Sequence, residues 1–293
     1  MAKTRELRRR IRSIEKTRQI TKTMEMVATS RLKRAQDRVV AARPYAQALA
    51  DVLGDLYEPS LGERFPLLRA VPGPPRRVAV LGITSNRGLC GAFNANLIRE
   101  IQSRALALEA GGCHVELHLV GRKGIGFFRF LGREITGQRQ DIGDRPTLAH
   151  ATELVTPLMT RFAAGELDAV EVVFAKFVSP LSTPPTVLPV LPIRRPADRT
   201  GRERNAAANA IIRPSVDELL ATILPQYVRN QMFRALVETA AAEQGARRTA
   251  MKNATDSAGE MIDTLRRTFN RARQAQITQE IAEIVGGSEA LRG

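Results

Sequence analysis

The feature that most limits the fold is a proline-free stretch near the C-terminus, residues 226–285. Its pattern predicts one uninterrupted helix, which at ~1.5 Å per residue would be on the order of 90 Å long. A chain of 293 residues cannot wrap its own globular domain around a helix of that length. Most of the helix must therefore be covered by another helix or by another chain.

Apolar and small residues of this stretch indicate where the covering helix packs. They step by four and three, the spacing of a coiled coil, at Val228, Met232, Ala235, Thr239, Ala242, Ala246 and Thr249. The pattern fails at Asn253, Asp256 and Glu260. It resumes one position out of phase at Ile262, Leu265, Phe269 and Ala272, and again at Ile277, Ile281 and Ile284. Such a change of phase locally alters the supercoil.

Residues 3–57 carry a second long helical pattern. One ladder of the same spacing passes through Leu7, Ile11, Ile14, Ala28, Leu32, Ala35, Val39, Ala42, Ala46, Leu49, Leu53 and Leu56. Its polar rungs are Arg18, Thr21 and Glu25, and Pro44 should bend the helix without ending it. If the two long helices pack antiparallel, the polar rungs of one fall roughly opposite those of the other. We therefore predict a helical pair built from both ends of the chain.

Basic residues dominate the charge of the chain. The formal net charge is +15, and residues 1–43 hold fourteen Lys and Arg against four acidic residues. A solvated coiled-coil exterior is the plainer interpretation, whereas an acidic protein surface, nucleic acid or an anionic membrane would be the functional one. Because the long helices already require cover from outside, the excess favours an acidic partner.

Composition narrows the class of protein further. Aromatic residues make up 4% and there is no Trp, which favours helix packing over a rich ligand pocket. We expect no membrane span and no signal peptide, because no run of about 18 apolar residues and no apolar N-terminal segment occur. A soluble intracellular chain is therefore expected. Cys90 and Cys113 fit a reduced compartment.

Between the long helices the pattern changes to alternating strands and helices. Short β-branched runs predict buried strands at residues 77–84, 115–121 and 170–177. Helical patterns separate them at residues 93–109, 123–131 and 147–164. The alternation predicts an α/β fold with a Rossmann-like parallel sheet inserted between the coiled-coil helices. A proline-rich strand at residues 186–193 suits only a sheet edge.

The expected domain boundaries follow from these patterns. They are a coiled-coil helix at residues 1–58, an α/β domain at residues 76–195 and a second coiled-coil helix at residues 210–287. Residues 58–75 are expected to form a linker, and residues 194–209 a surface loop. Ser215 and Glu218 predict a capping box for a short helix over residues 216–223, after which Pro225 would open the long helix.

Candidate chemical sites are weak. The segment at residues 85–94 lies between a strand and a helix and lacks the phosphate-loop signature, so a tight turn is favoured over anion binding. We interpret Cys90 as a packing residue, His114, His118 and His150 as too scattered for a metal site, and Asp256, Glu260 and Asp263 as ion-pair partners. We predict no catalytic residue, cofactor or metal ligand.

Three functions are weighed at this point. The first is a noncatalytic shaft enclosed by other subunits. The second is a basic coiled-coil protein that binds nucleic acid or a membrane surface through residues 1–43. The third is an enzyme with a phosphate site at residues 88–91. The apolar ladder within residues 1–43 favours the first function over the second.

Long motifs at both ends of the chain resemble one family, the gamma subunit of the F-type rotary ATP synthase. These motifs are residues 20–32 (ITKTMEMVATSRL), residues 85–94, residues 121–124 with Phe127 and Phe128, residues 250–256 (AMKNATD), residues 270–274 (NRARQ) and residues 277–281 (ITQEI). The resemblance covers essentially the whole chain.

The resemblance implies a noncatalytic central rotor without cofactors, present in one copy per complex. Its expected partners are the hexamer of alpha and beta subunits, the epsilon subunit and the membrane ring of c subunits, with no nucleic acid. It would couple rotation of a proton- or sodium-translocating ring to ATP synthesis or hydrolysis at the beta subunits. The expected location is peripheral, on the cytoplasmic face of the bacterial inner membrane.

The resemblance also implies roles for particular residues. Positions that meet the moving beta-subunit segments correspond to Met24, Arg273, Gln274 and Thr278. Contact with the c-ring and epsilon subunit corresponds to Ile212 and Arg213. An apolar tip that turns in an apolar collar corresponds to Ile277, Ile281, Ile284 and Val285.

Several positions depart from the family pattern. Asn86 stands where the family usually has Asp, Ala92 where it usually has Gly, and Ser288 where it has Ala. Arg213 replaces what is typically Glu at the c-ring contact, and Ile212 replaces an aromatic residue. These departures predict a differently charged ring loop or a different seating, and they leave open membership in an alternative rotary ATPase.

Overall fold

The two ends of the chain form its longest helices, and a five-stranded sheet lies between them in sequence. The computed structural model describes residues 2–58, 60–194 and 215–290. In chain order its elements are α1 (Ala2–Leu56), α2 (Leu61–Arg64), a 3-10 helix (Pro66–Leu68), β1 (Arg77–Ile83), α3 (Phe93–Ala110), β2 (His114–Val120), α4 (Arg122–Phe130), β3 (Gly137–Arg139), α5 (Leu148–Ala163), β4 (Ala169–Ala175), β5 (Pro185–Leu191) and α6 (Val216–Ala290).

These elements divide into two units. Met1–Ala28 and Arg248–Gly293 form the first, here called the helical unit. Thr29–Arg247 forms the second, here called the sheet unit. Helices α1 and α6 each contribute residues to both units.

Within the helical unit, α1 and α6 run antiparallel. The hydroxyl oxygens of Thr21 and Thr255 lie 2.8 Å apart. Farther along the pair, the Thr4 hydroxyl donates a hydrogen bond to the Gln276 side-chain oxygen at 3.2 Å. Residue numbers therefore fall along one helix as they rise along the other, and the predicted antiparallel pair of terminal helices is confirmed.

The seam of α6 in the helical unit agrees with the prediction at Ile262, Leu265, Phe269 and Ala272 and differs from it on either side of them. Its buried and half-buried positions step by four and three through Met251, Thr255, Ala258, Ile262, Leu265, Phe269, Ala272 and Gln276. Asn253, Asp256 and Glu260 are all exposed, so the predicted break in the seam at these three residues is wrong. The polar Thr21 of α1 faces Thr255 instead.

The phase of the seam changes before Met251 for a physical reason. In the sheet unit, α6 is covered on more than one side, since Val237 and Ala241 pack in one cluster with Leu32 of α1 and Phe93 of α3. Apolar positions there do not mark a single stripe. The four-three spacing read from residues 228–249 therefore does not continue in phase with the seam that starts at Met251.

The sheet has the strand order β3-β2-β1-β4-β5. β1 is parallel to both of its neighbours, β2 is parallel to β3, and β5 is antiparallel to β4. The predicted Rossmann-like parallel sheet and its proline-rich edge strand are confirmed. Pro185 and Pro189 have no backbone N–H to donate, and the sheet tolerates them because β5 is an edge strand that pairs only with β4.

Successive side chains of β1 point to opposite faces of the sheet, and each face is covered by a separate apolar cluster. Val78 and Val80 pack on one face with α3 and α4, in a cluster that includes Ile101 and Phe128. Ala79 and Leu81 pack on the other face with Phe162 of α5 and the start of α6. Both faces of β1 are thus buried, which explains its nearly continuous apolar sequence.

Two predictions about connecting segments are wrong. Residues 58–75 are not only a linker, because Leu61 and Leu68 are each 5% exposed and belong to the main core cluster. The expected short helix before Pro225 is also not separate, since α6 runs through this proline. The carbonyl that Pro225 leaves unbonded belongs to Ala221, which is exposed to solvent. Ser215 does accept the predicted cap bond from the Glu218 amide at 3.2 Å.

Candidate functional site

The surface of the helical unit is strongly basic on its α1 side. Glu6 and Glu15 are engaged by arginines, at 2.6 Å from Arg10 and 2.7 Å from Arg266 respectively. Exposed Arg5, Arg9, Arg12 and Lys16 make no salt bridge within the described residues. Since these two acids already have arginine partners, the remaining cations of α1 face solvent and would attract an acidic surface.

Three of the four residues expected to contact the beta subunits lie together on α6. Arg273, Gln274 and Thr278 are exposed within about one and a half turns, and the Thr278 hydroxyl donates to the Gln274 carbonyl at 3.0 Å. Each side chain is therefore accessible to a second protein.

The fourth, Met24, lies on α1 and is half-buried. It follows Thr21 by about one turn, and Thr21 faces Thr255. Met24 is therefore level with the α6 residues near 252, about 20 residues or ~30 Å along the axis from Arg273. The structure does not bring the four residues into one patch. It places them at two levels of the helical pair.

The terminal part of α6 carries an apolar face without cover from the described part of α1. Ile277, Ile281, Ile284 and Val285 are 46%, 57%, 71% and 55% exposed. The interpretation of the three isoleucines as a resumed seam with α1 is wrong, since Gln276 occupies the seam next to Thr4. Beyond that contact, α6 continues through Ala290, roughly 20 Å of helix.

Ile212 and Arg213, the expected contacts with the c-ring and epsilon subunit, lie outside the described residues, as does most of the predicted surface loop at residues 194–209. The domain boundary expected at residue 210 also falls there.

The segment at residues 85–94 closes on itself. The Ser85 amide donates to the Asn94 side-chain oxygen at 3.0 Å, and the Ser85 hydroxyl donates to the Arg87 carbonyl at 2.6 Å. Leu89 and Gly91 adopt positive φ angles of 63° and 58°. The predicted tight strand-to-helix turn is confirmed. Its polar groups are largely used to hold the turn itself.

Cys90 lies in the core beside this turn. It is 2% exposed and packs in the cluster that holds Phe93 and Leu97. Burial is the largest influence on its thiol and raises its pKa, although Arg247 acts in the opposite direction. The interpretation of Cys90 as a packing residue is confirmed, because a thiol with a raised pKa is a weak nucleophile.

His118 lies beside an ion pair and not in a cluster of metal-binding residues. It is flanked by Glu116, whose carboxylate accepts two hydrogen bonds from Arg161 at 2.7 and 2.8 Å. Burial lowers the pKa of His118, while Arg161 lowers the pKa of Glu116. Among residues 2–58, 60–194 and 215–290, no group of three or more His, Cys, Asp or Glu could hold a metal ion.

A cavity of about 780 Å³ lies within the sheet unit at the carboxyl ends of β1 and β2. Arg31, Arg34 and Arg38 of α1 line it together with Arg87, Arg122 and Arg145. Sequence analysis missed this site because its residues come from separated segments. The one local signal is the spacing of three and four between Arg31, Arg34 and Arg38, which puts them on one helical face.

A helix that crosses a bilayer must be both long and strongly apolar. No helix in residues 2–58, 60–194 and 215–290 combines enough length with enough apolar character to do so.

Comparison with known proteins identifies the family. A family model described as ATP synthase matches residues 3–291. A protein of Gemmatimonas aurantiaca named ATP synthase gamma chain is 59% identical over 293 residues, covering 100% of both chains. One of Desulfitobacterium hafniense with the same name is 45% identical over 291 residues, covering 99% of this chain and 100% of the relative. The chain belongs to the ATP synthase gamma-chain family.

Solved structures show the same fold. A chain of the Euglena gracilis mitochondrial ATP synthase, from a structure of OSCP, F1 and c-ring in rotational state 3, superposes with a TM-score of 0.68 at 18% identity. The match covers 99% of this chain and 95% of that one. A chain of the Tetrahymena thermophila central stalk and c-ring gives a TM-score of 0.59 at 23% identity, covering 80% and 99%. Membership of the gamma-chain family supports the rotor interpretation and not a nucleic-acid or membrane-surface protein.

Proposed function

We propose that this chain is a noncatalytic rotor shaft of an F-type ATP synthase, in which the helical unit transmits torque to catalytic subunits. The observation that carries the proposal is the exposed apolar face at the end of α6, formed by Ile277, Ile281 and Ile284. An isolated soluble helix pair would bury such a face, whereas a shaft tip enclosed by other subunits uses it as a bearing surface.

The proposed partners of the helical unit are the alpha and beta subunits, arranged as a hexamer around one copy of this chain. Exposed cations such as Arg9 and Arg12 would meet acidic beta-subunit segments at successive angles of rotation. Such pairs at the rim of an interface steer and orient without holding tightly. Weak, replaceable contacts suit a surface that must move past its partners.

Contacts that transmit torque from or to the beta subunits are proposed at two levels along the helical pair. Met24 lies at one level, and Arg273, Gln274 and Thr278 lie about 30 Å away at the other, as judged from the helical rise. A force applied at two separated levels resists tilting of the shaft as well as turning it. This support would keep the pair aligned within its housing.

Contact with the c-ring and epsilon subunit is proposed for Ile212 and Arg213 by similarity to the family. Through this contact the chain would couple rotation of the ring, driven by protons or sodium ions, to ATP synthesis or hydrolysis. The chain would accordingly lie at the cytoplasmic face of the bacterial inner membrane as a peripheral part of the complex.

The proposal is tested by assembling the full chain with the alpha and beta subunits of its own organism. We expect one copy of this chain per hexamer and ATP hydrolysis that drives rotation of the chain. Arg273→Ala should lower the measured torque, with a loss of contact energy of roughly 1 kcal/mol or more. Arg267→Ala removes the same charge at another exposed position of α6 and is the matched control.

Three results would contradict the proposal. One is the failure of this chain to associate with the hexamer. Another is a stable hexamer complex in which the chain does not rotate during hydrolysis. The third is equal torque loss in the Arg273 and Arg267 variants, which would show that only net charge matters.

A further inference from the structure

The cavity of about 780 Å³ in the sheet unit has a size and a charge that the rotor function does not require. Its volume falls in the range of ~300–1,000 Å³ typical of small-molecule sites. Ile83, Val120 and Leu236 supply apolar wall, and six arginines are the most numerous polar residues of the lining. An apolar wall combined with a cationic side fits an amphiphilic anion.

The acidic groups of the cavity are already neutralised by the protein. Asp144 is bound by Arg31 at 2.5 Å. Glu243 is bound by Arg247 at 2.6 Å. Each of these carboxylates therefore has its own guanidinium partner and does not offset the remaining positive charge.

The third carboxylate is also engaged, and five of the six cavity arginines have no carboxylate partner among the described residues, of which Arg34 and Arg38 bond to Ser30 and to the Asp144 carbonyl. Asp141 is held at 2.6 Å by Arg139, which lowers the pKa of Asp141 to about 2. In contrast, the guanidinium groups of Arg87, Arg122 and Arg145 make no salt bridge within the described residues. A planar guanidinium matches a phosphate group with two parallel hydrogen bonds. Three of them can bind more than one phosphate.

A second observation, independent of charge, also points to a ligand. Gln244 lines the cavity and is 1% exposed, yet neither its side-chain nitrogen nor its side-chain oxygen has a hydrogen-bond partner among the described residues. Leaving a buried polar group without a hydrogen-bond partner is unfavourable. One donor and one acceptor in a single amide suit a neutral polar group such as a nucleobase edge or a sugar hydroxyl.

The backbone amides at the start of α4 are not available for phosphate binding. At the start of α4, the Arg122 amide donates to Asn86 and the Gly124 amide donates to Thr84, each at 2.9 Å. The cavity therefore differs from a glycine-rich phosphate loop, and from the phosphate site considered at residues 88–91. Recognition would rest on side chains.

We propose that this cavity binds a nucleoside di- or triphosphate, with Arg87, Arg122 and Arg145 on the phosphates and Gln244 on the neutral part. Inorganic triphosphate shares the phosphate chemistry but lacks the group that Gln244 would meet. The proposal goes beyond the rotor function and does not depend on it, because the cavity is formed entirely by residues of the sheet unit.

The test uses the purified full chain and isothermal titration calorimetry with ATP, ADP and inorganic triphosphate. We expect saturable binding of one nucleotide per chain. Arg122→Ala combined with Arg145→Ala should weaken ATP binding at least about tenfold, which corresponds to ~1.4 kcal/mol. Both side chains are exposed, so the double variant should keep its fold, and its circular dichroism and melting temperature check this.

Two further variants separate specific recognition from net charge. Arg76→Ala combined with Arg99→Ala removes two exposed arginines outside the cavity lining and should leave affinity within about twofold. Gln244→Leu should weaken ATP binding while leaving the affinity for inorganic triphosphate unchanged. No saturable binding at millimolar nucleotide would overturn the proposal, as would equal losses in the two double variants. Equal affinities for ATP and inorganic triphosphate would overturn the nucleotide assignment.

Discussion

Asn86 joins three segments of the sheet unit through one side-chain amide. Its nitrogen donates to the backbone carbonyls of Gln140 and Ile142, each at 2.9 Å. Its oxygen accepts a hydrogen bond from the Arg122 amide at 2.9 Å. An aspartate could accept the last bond but could not donate the other two. We therefore predict that Asn86→Asp loosens the loop at residues 139–145.

The size of this effect follows from the bonds lost. Each neutral hydrogen bond contributes a net ~0.5–1.5 kcal/mol, so losing two removes about 2 kcal/mol. The new carboxylate also faces two carbonyl oxygens, which repel it. A stronger charge-assisted bond to the Arg122 amide offsets roughly 1 kcal/mol of the loss. The expected net destabilisation of the loop is about 1–2 kcal/mol, or roughly five- to thirtyfold in its opening equilibrium.

Hydrogen exchange measured by mass spectrometry can detect this change locally. Peptides that cover residues 139–145 should exchange faster by the same factor in Asn86→Asp, while peptides from β1 should not change. Asn96→Asp introduces the same charge at an exposed position of α3 and serves as the control. The reasoning is refuted if the loop exchanges at the wild-type rate in Asn86→Asp, or if Asn96→Asp accelerates it equally.

Two further predictions concern the stability of the two units. Ile262 is 3% exposed in the α1–α6 seam, so Ile262→Ala should destabilise the helical unit by roughly 2–5 kcal/mol. The measurement is hydrogen exchange, which should become faster in residues 251–272. Ile281 is 57% exposed, so Ile281→Ala should have little effect and serves as the control. Arg161 lowers the pKa of Glu116, so the carboxylate stabilises the fold above its unfolded pKa of ~4.3 and loses this contribution as pH falls through the lower folded value. The melting-temperature difference between wild type and Arg161→Ala should therefore be largest at neutral pH and shrink below about pH 4; a constant difference would contradict this assignment.

Much of the sheet unit was predictable because its signals are local. The runs that became β1 and β4 are apolar and β-branched, as expected for strands buried on both faces, and β2 is apolar at Val115, Leu117, Leu119 and Val120. β3 was missed because Gly137–Arg139 is three residues long and carries no apolar pattern. Its presence depends on pairing with β2, which is a tertiary effect.

The helical pair shows a different limit of sequence analysis. The pairing of the two terminal helices could be predicted, because each has apolar residues at four-three spacing and is too long to be covered by a globular domain of this chain. Which residues face the partner could not be extrapolated through the region where α6 touches both α1 and α3. The cavity was harder still to predict, because Arg122, Arg145 and Gln244 meet only after the chain folds.

The register of the helical pair rests on a few distinctive contacts. Small residues such as Ala258 can pack at several positions along a four-three ladder, so they specify spacing but not register. A slip of one heptad, about 10 Å, would preserve that spacing. It would nevertheless separate the hydroxyl groups of Thr21 and Thr255, which lie 2.8 Å apart. The Arg266–Glu15 bridge at 2.7 Å would also be lost. In the proposed rotor the pair must keep its two proposed contact levels at a fixed angle to each other, and the contacts between Thr21 and Thr255 and between Arg266 and Glu15 favour one register.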